Sequence, residues 1–315
     1  MSVPHYPDFI PLDIGQKDFL HPRLSLTSDG VSEFTFAGLY LFRDRYDYKI
    51  SHSAASGKNN EEGTFIISGI QKSGKNCGKT FFMTPCAVPE WETLETLLAS
   101  HDYWKNIPET VLKQCLVSPI KEKLEERGIE ILEDRDNFDY LYNRSDLAEL
   151  SGKKYHKKKN HVNNFLSLYP NYSQRPLSKE LIPQAIEVLD RWREDAYERN
   201  RGEDGDYRAA KEALELFDLL PLRGSIFFID NKPVGYCLGE SIARGKMFAI
   251  HFEKAIDEYK GIFQFINQAF AASLPGFFAL INREQDLGNE GLRQAKMTYR
   301  PCDFVRKYTA RYSLN

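Results

Sequence analysis

The feature that most constrains this chain is an order of elements that occurs twice. In the first half, TFIISGI (64–70) and KTFFMTP (79–85) are short β-branched and aromatic runs joined by a Gly/Lys/Asn-rich connection, the pattern of a hairpin. Pro89 then opens a helix in which Trp91, Leu94, Leu97 and Leu98 recur at helical spacing toward Ser100. The segment 111–119 reads as a strand, 120–128 as a helix ending on Gly128, and 129–143 as two strands about a polar turn. After polar helices at 178–200 and 206–219 the order returns. Two strands around an Asp-Asn-Lys-Pro turn fill 224–242, and a third follows at 246–255. A helix then runs from Gly261 to Ser273, with a buried-type strand at 277–282, a helix at 288–297 and a closing strand at 302–312. Such duplication predicts an α/β (α+β) chain of two similar sheets with helices packed on each, residues 1–150 and 151–315.

Length and composition suit that reading. With 315 residues, 42% of them hydrophobic, the chain can bury two cores. Lys and Arg number 42 against 45 Asp and Glu, a net charge of −3, so the overall field neither requires nor forbids a polyanionic partner and local patches must decide. The five cysteines are scattered, odd in number and without C-x-x-C spacing, which argues against a zinc site, and no metal is expected. No basic segment leads into an apolar one at the N-terminus, and no run approaches the ~18 apolar residues of a membrane span. The expectation is a cytoplasmic protein with reduced thiols.

Four segments could carry chemistry. In SGKKYHKKKNHVNNFLSLYP (151–170), Lys154 and Lys158 are four apart, as are Asn160 and Asn164, while Val162, Phe165 and Leu166 supply an apolar anchor. One helix could therefore present cations and amides along a stripe, suited to phosphate or an RNA backbone; a solvated helix face is the alternative. In KMFAIHFEKA, strict alternation places His251 and Glu253 on one sheet face and Phe252 and Lys254 on the other. Glu253 is a candidate general base, or else half of a surface ion pair. Gly261 after Lys260 marks a helix start where backbone N–H groups could meet an anion, without the repeated glycines of a nucleotide loop. Last, ALINREQDLGNEGLRQAKMTY gathers Asn282, Arg283, Glu284, Asp286 and Lys296 around one strand-to-helix turn, with Asp286 placed to cap the coming helix and Gly288 and Gly291 permitting close backbone approach.

The stretches YLYNRSDLAELSGKKYHKKKNHVNNF, HFEKAIDEYKGIFQFINQAF and INREQDLGNEGLRQAKMTYRP resemble the bacterial proteins that share the C-terminal domain of phosphatidylglycerol lysyltransferase, from about residue 136 onward. The resemblance implies tandem acyl-CoA N-acyltransferase-like (GNAT) domains, each a central mixed sheet flanked by helices, similar to Fem-type transferases. It implies a strand at 247–254 that splays from 277–282 to admit an acyl donor, and a helix after Lys260 that offers its N-terminus to phosphate. With the glycine-rich coenzyme A loop reduced to Gly261, aminoacyl-tRNA is the favoured donor over acyl-CoA. The acceptor would be a small molecule or a lipid headgroup. Carried over position by position, the signature assigns donor or phosphate contacts to Lys154, Lys158, Lys159, Asn160, Asn164, Lys254, Tyr259, Gly261 and Gln264. His251, Asn267, Asn282, Glu284, Gly288 and Gly291 complete the site. The expected chemistry is acyl or aminoacyl transfer, with Glu253 or Asp286 accepting a proton and Arg283 and Lys296 stabilising charge on the donor. A non-catalytic module that holds tRNA or a nucleotide is the second reading.

Overall fold

The computed structural model of the protein describes residues 3–55, 63–117, 119–198 and 206–313. Six strands come first: β1 (Ile10–Pro11), β2 (Lys49–Ser53), β3 (Thr64–Ile70), β4 (Thr80–Met83), β5 (Tyr103–Pro108) and β6 (Ile129–Glu133). They are followed by β7 (Asp139–Asn143), β8 (Tyr172–Pro176), β9 (Arg223–Ile229) and β10 (Lys232–Ile242). The last are β11 (Met247–Ala255), β12 (Leu280–Asn282), β13 (Asp303–Val305) and β14 (Lys307–Tyr312). They form two seven-stranded sheets, one ordered β1-β2-β3-β4-β5-β14-β6 and the other β13-β7-β12-β11-β10-β9-β8. The chain divides into two compact units, Met1–Asp139 with Gln285–Asn289 and Val305–Asn315, and Tyr140–Glu284 with Glu290–Phe304.

Both units use the same device, a strand, a crossover helix and a parallel strand. In the first, β4 leads through the helix Trp91–Ser100 to β5, and the two strands pair in parallel through Phe81–Tyr103 and Phe82–Trp104. In the second, β11 leads through the helix Ile262–Ser273 to β12, paired through Met247–Leu280, Phe248–Ile281 and Ala249–Asn282. Each sheet is mixed and carries helices, so the tandem architecture expected from the element order is the observed one.

Local sequence explains the crossovers. Leu94, Leu97 and Leu98 fall on one helical stripe and are buried, against a core in which Phe82 stacks on Trp104 with ring centroids 5.6 Å apart. The helix Ile262–Ser273 buries Ile262, Phe265, Ile266 and Phe270, and Phe265 stacks at 4.3 Å on Phe165 of the lysine-rich helix His156–Leu168. Gly261 makes that approach possible. Its φ is +90°, and a Cβ there would stand 2.8 Å from the His161 carbonyl oxygen, so conformation and space both exclude a side chain.

Three details differ from the sequence reading. Residues 111–119 do not form a strand: Glu109–Leu116 is a helix, because Val111 and Cys115, four apart, are its buried residues and Pro108 stands at its N-terminal boundary. The strand is β5, just upstream. Second, 302–312 is two strands, and β13 and β14 enter different sheets, as do β6 and β7. Third, sheet membership changes at Asp139 and returns at β14, so neither unit is continuous in sequence.

The return of β14 between β5 and β6 places Lys307 in the interior of the first unit, fully buried. Its ammonium donates to Asp139 at 2.7 Å and to Glu33; Asp139 also accepts from the Ser32 amide at 2.9 Å and the Ser32 hydroxyl at 3.0 Å. Burial alone would lower the lysine pKa, yet Asp139 and Glu33 outweigh it and raise the value. Removing one partner of a buried charge set leaves the others uncompensated, so Lys307→Met is expected to cost roughly 3–5 kcal/mol of unfolding free energy. Urea unfolding followed by tryptophan fluorescence checks this.

Candidate active site

The site begins where two parallel strands part. β11 pairs with β12 only through Ala249 and then runs on to Ala255 paired with β10. The chain after β12 turns away. Asn282 is fully buried, and its side-chain oxygen accepts the Glu284 amide at 2.7 Å, which holds Glu284 at φ +56°. Tyr140 on β7 brackets the turn: the Arg283 amide donates to its carbonyl at 3.0 Å, and its own amide donates to the Glu284 carbonyl at 3.2 Å. Lys296, from the helix Glu290–Met297, donates to the carbonyls of Arg283 at 2.5 Å and Glu284 at 3.0 Å.

This turn presents Arg283 to β11. Nη2 lies 3.4 and 3.3 Å from the two carboxylate oxygens of Glu253, at the long end of the hydrogen-bond range. The Asn267 amide, oriented by its partners, accepts from Nη1 at 2.8 Å and from Nε at 3.3 Å. Tyr299 forms the adjoining surface, with the Arg283 guanidinium 5.3 Å and the Lys158 ammonium 4.1 Å from its ring centre. Tyr142 meets Tyr299 edge-on and donates its hydroxyl to the Lys296 carbonyl at 2.8 Å. The Arg283 pKa is raised: burial opposes its charge, and Glu253 is the largest influence in its favour. Burial raises Tyr299 to about 12, so its phenol keeps its proton. Lys158 is lowered, first by burial and then by Arg283. Cys237, opposite Glu253 on β10, is buried and its thiol is pushed well above the usual value, which makes it inert at neutral pH. A carboxylate, two cations and a phenol thus converge from three separate parts of the chain.

His251 lies outside this group. The β10–β11 register shifts between Leu238 and Gly239, with Leu238 opposite Phe252 and Gly239 opposite Ile250, so β11 carries one extra residue. That bulge breaks the alternation expected for His251 and Glu253. While Glu253 reaches Arg283, His251 Nε2 meets Glu240 at 3.0 Å and Nδ1 meets Glu284 at 2.7 Å. Its side chain is only 4% exposed. Burial disfavours the imidazolium, but the two carboxylates overcome it and raise the pKa to about 10.

Other expected site residues are engaged elsewhere. Lys254 projects away from Glu253, donating to Asp206 at 2.6 Å with its ammonium 3.7 Å over Trp192; adjacent strand residues point oppositely, so it cannot share a wall with Glu253. Lys154 pairs with Asp146 at 3.1 Å. Lys159, Asn160 and Asn164 are exposed on the lysine-rich helix, where the Asn160 amide contacts His156 at 3.2 Å. Tyr259 packs edge-on against Tyr169, Gln264 is half-buried on its helix, and Gly291 is exposed. Asp286 and Gly288 belong to the first unit. Asp286 does not cap the helix that starts at Glu290: fully buried, it accepts the Gly288 amide at 2.9 Å and pairs with Arg135 at 3.4 Å. Gly288, at φ +75°, lies against Asp136, where a Cβ would stand 3.1 Å from the carboxylate. Tyr299, Tyr142 and Glu240 escaped the sequence reading. The only signal for Tyr299 is its place at the end of the charged turn segment, in MTYRP.

Comparisons with known proteins bear on the family and the fold. The family described as phosphatidylglycerol lysyltransferase, C-terminal, matches residues 25–311. A crystal structure of a conserved protein of unknown function from Bacteroides thetaiotaomicron is 27% identical, covers 97% of this chain and 99% of its own, and has a TM-score of 0.81. L-PGS from Bacillus licheniformis is 13% identical over 99% of this chain and 94% of its own, with a TM-score of 0.57. FemX is 11% identical over 98% of each chain, with a TM-score of 0.50. At such identities the last two show the fold alone. A curated protein of Mycoplasmoides gallisepticum is 23% identical over 172 residues, and the chain spans about half of that protein, 54%. Among the described residues no helix is long and apolar enough to cross a membrane.

The His251 contacts carry a pH signature. Because the folded-state pKa of about 10 lies above the ordinary 6.5, their contribution to stability is complete below 6.5 and is lost as pH rises through 10. Urea unfolding at constant ionic strength should therefore show the widest gap between wild type and His251→Gln near about pH 6, narrowing steadily toward about pH 10.

Proposed function

The chain belongs to the phosphatidylglycerol lysyltransferase C-terminal family, and from that premise we propose that it transfers an acyl or aminoacyl group from an activated ester to an amine or hydroxyl acceptor. The observation that carries this reading is the facing pair Glu253 and Arg283 where β11 and β12 part. Glu253 takes the proton of the acceptor N–H or O–H as that atom attacks the donor carbonyl. Arg283 stabilises the oxyanion that forms. Collapse breaks the ester bond, and the proton returns from Glu253 to the departing oxygen, so the carboxylate is regenerated. The loose 3.3–3.4 Å contact suits this cycle, because each partner can exchange the other for substrate.

Lys158 is placed to meet a donor phosphate, and Asn267 keeps the guanidinium oriented. Aminoacyl-tRNA is the favoured donor, since exposed Lys157 and Lys159 flank Lys158 on the same helix and extend its positive charge. Asp286 and Lys296 have no direct part in this scheme: one forms a turn in the first unit, and the other secures the carbonyls on either side of the Arg283–Glu284 peptide link.

Release of label from a mixed aminoacyl-tRNA pool and from acyl-CoA, with amines and glycerol phosphates as acceptors, tests the proposal. Glu253→Gln should slow turnover by about 10²–10⁴ and Arg283→Ala by about 10²–10³. Unchanged turnover in both would defeat the assignment. The lysine run supports a second reading, a binding module without turnover. It is favoured if tRNA binds, weakens steeply with salt and on Lys158→Ala/Lys159→Ala, and no donor is ever consumed.

A further inference from the structure

Between Ala249 and Ala255 nothing from the backbone ladder of β12 holds β11. The gap is spanned instead by side chains. Glu240 on β10, His251 on β11 and Glu284 in the turn form one continuous row, with contacts of 3.0 and 2.7 Å, and Glu284 directly follows Arg283. The turn is fixed on its other sides by Asn282, Tyr140 and Lys296, all of which grip its backbone. Among the described residues, the Glu284 carboxylate ties it to β11 through His251, beside the Arg283–Glu253 contact. From this geometry we infer that His251 is a positioning residue: its cationic ring, held between Glu240 and Glu284, sets how far the turn stands from β11 and therefore where Arg283 meets Glu253.

The physical logic is that of a bridging charge. The ring lies between two carboxylates, one 1% exposed and the other 28%. With the ring present, the row is a cation between two anions. Replaced by a neutral side chain, the same space brings two carboxylates toward each other, and the turn relieves the repulsion by moving. The bulge is what allows the row to form, since it frees His251 from the face that Glu253 occupies. The meaning of this role for catalysis rests on the transferase reading; the role itself does not.

The experiment follows from that difference. In 15N spectra, the Nε–H of Arg283, which donates to the Asn267 amide oxygen once that amide is turned to suit its partners, should exchange slowly with water, with Arg311 Nε–H as internal reference. His251→Gln is expected to accelerate Arg283 exchange by about tenfold or more relative to Arg311, and Glu284→Gln, a milder change that keeps a hydrogen-bonding group, by less. Where turnover is measurable, His251→Gln should lower kcat with KM nearly unchanged. Arg283 exchange that stays at the wild-type rate in both variants while Tm falls would reduce His251 to a stabilising residue and overturn the inference. If no donor is ever turned over, the transferase reading fails and the exchange result still decides the role of His251.

Discussion

Where the parallel β11–β12 pair ends, charged side chains meet. Among the described residues, no strand pairs with the β12 edge of β11 beyond Ala249, yet this part of the sheet stays mostly buried, with Phe252 and Ala255 in the interior. The polar side chains that meet there partner one another. Arg283 enters from the turn, Asn267 from the crossover helix, and Glu253 from the strand itself. The same parting that would weaken an ordinary sheet therefore assembles a guanidinium, a carboxylate and an amide at short range.

Each unit carries the strand–helix–strand device, and each resolves its polar interior differently. In the first, Lys307, Asp139, Glu33 and Ser32 form a linked set, joined at Glu33 by Asn106, in which the ammonium and Asp139 are both fully buried. That arrangement costs desolvation and repays it through multiple short contacts, which fits a fixed structural role. In the second, the Arg283–Glu253 contact is longer, and the two side chains retain 17% and 13% exposure. A pair that is loose and partly reachable is better suited to exchange with a substrate than one that is sealed.

How much of this was readable from residues alone depended on whether local pattern or long-range register decided the outcome. The hairpin at 64–85, the helix carrying Leu94, Leu97 and Leu98, and β9 to β12 follow from periodicity and turn residues, and they stand where expected. Residues 109–116 misled because VLKQCLV is β-prone in composition, while the i, i+4 pair Val111 and Cys115 decided the packing. β5 was missed because Lys105 and Asn106 interrupt its apolar run, Asn106 at φ +52°. Nothing local announces a one-residue bulge, so alternation alone puts His251 on the face of Glu253. Asp286 was legible as a capping residue by type, but its partners Gly288 and Arg135 are fixed by tertiary context.

Lys158 shows what the finished site adds beyond its parts. Around Tyr299 lie two cations, Lys158 and Arg283, the second paired with Glu253, while Tyr142 and Tyr299 keep their protons because burial raises both. Arg283 is matched by Glu253 and Asn267, whereas the Lys158 ammonium rests on an aromatic face, which offsets only part of the cost of leaving water. Its depressed pKa, from burial and from Arg283, is the mark of a charge held where it is under-compensated. An arriving phosphate oxygen would relieve both causes at once, by replacing lost hydration and by screening the guanidinium. Under the transferase proposal, that relief is what would draw a donor phosphate to Lys158.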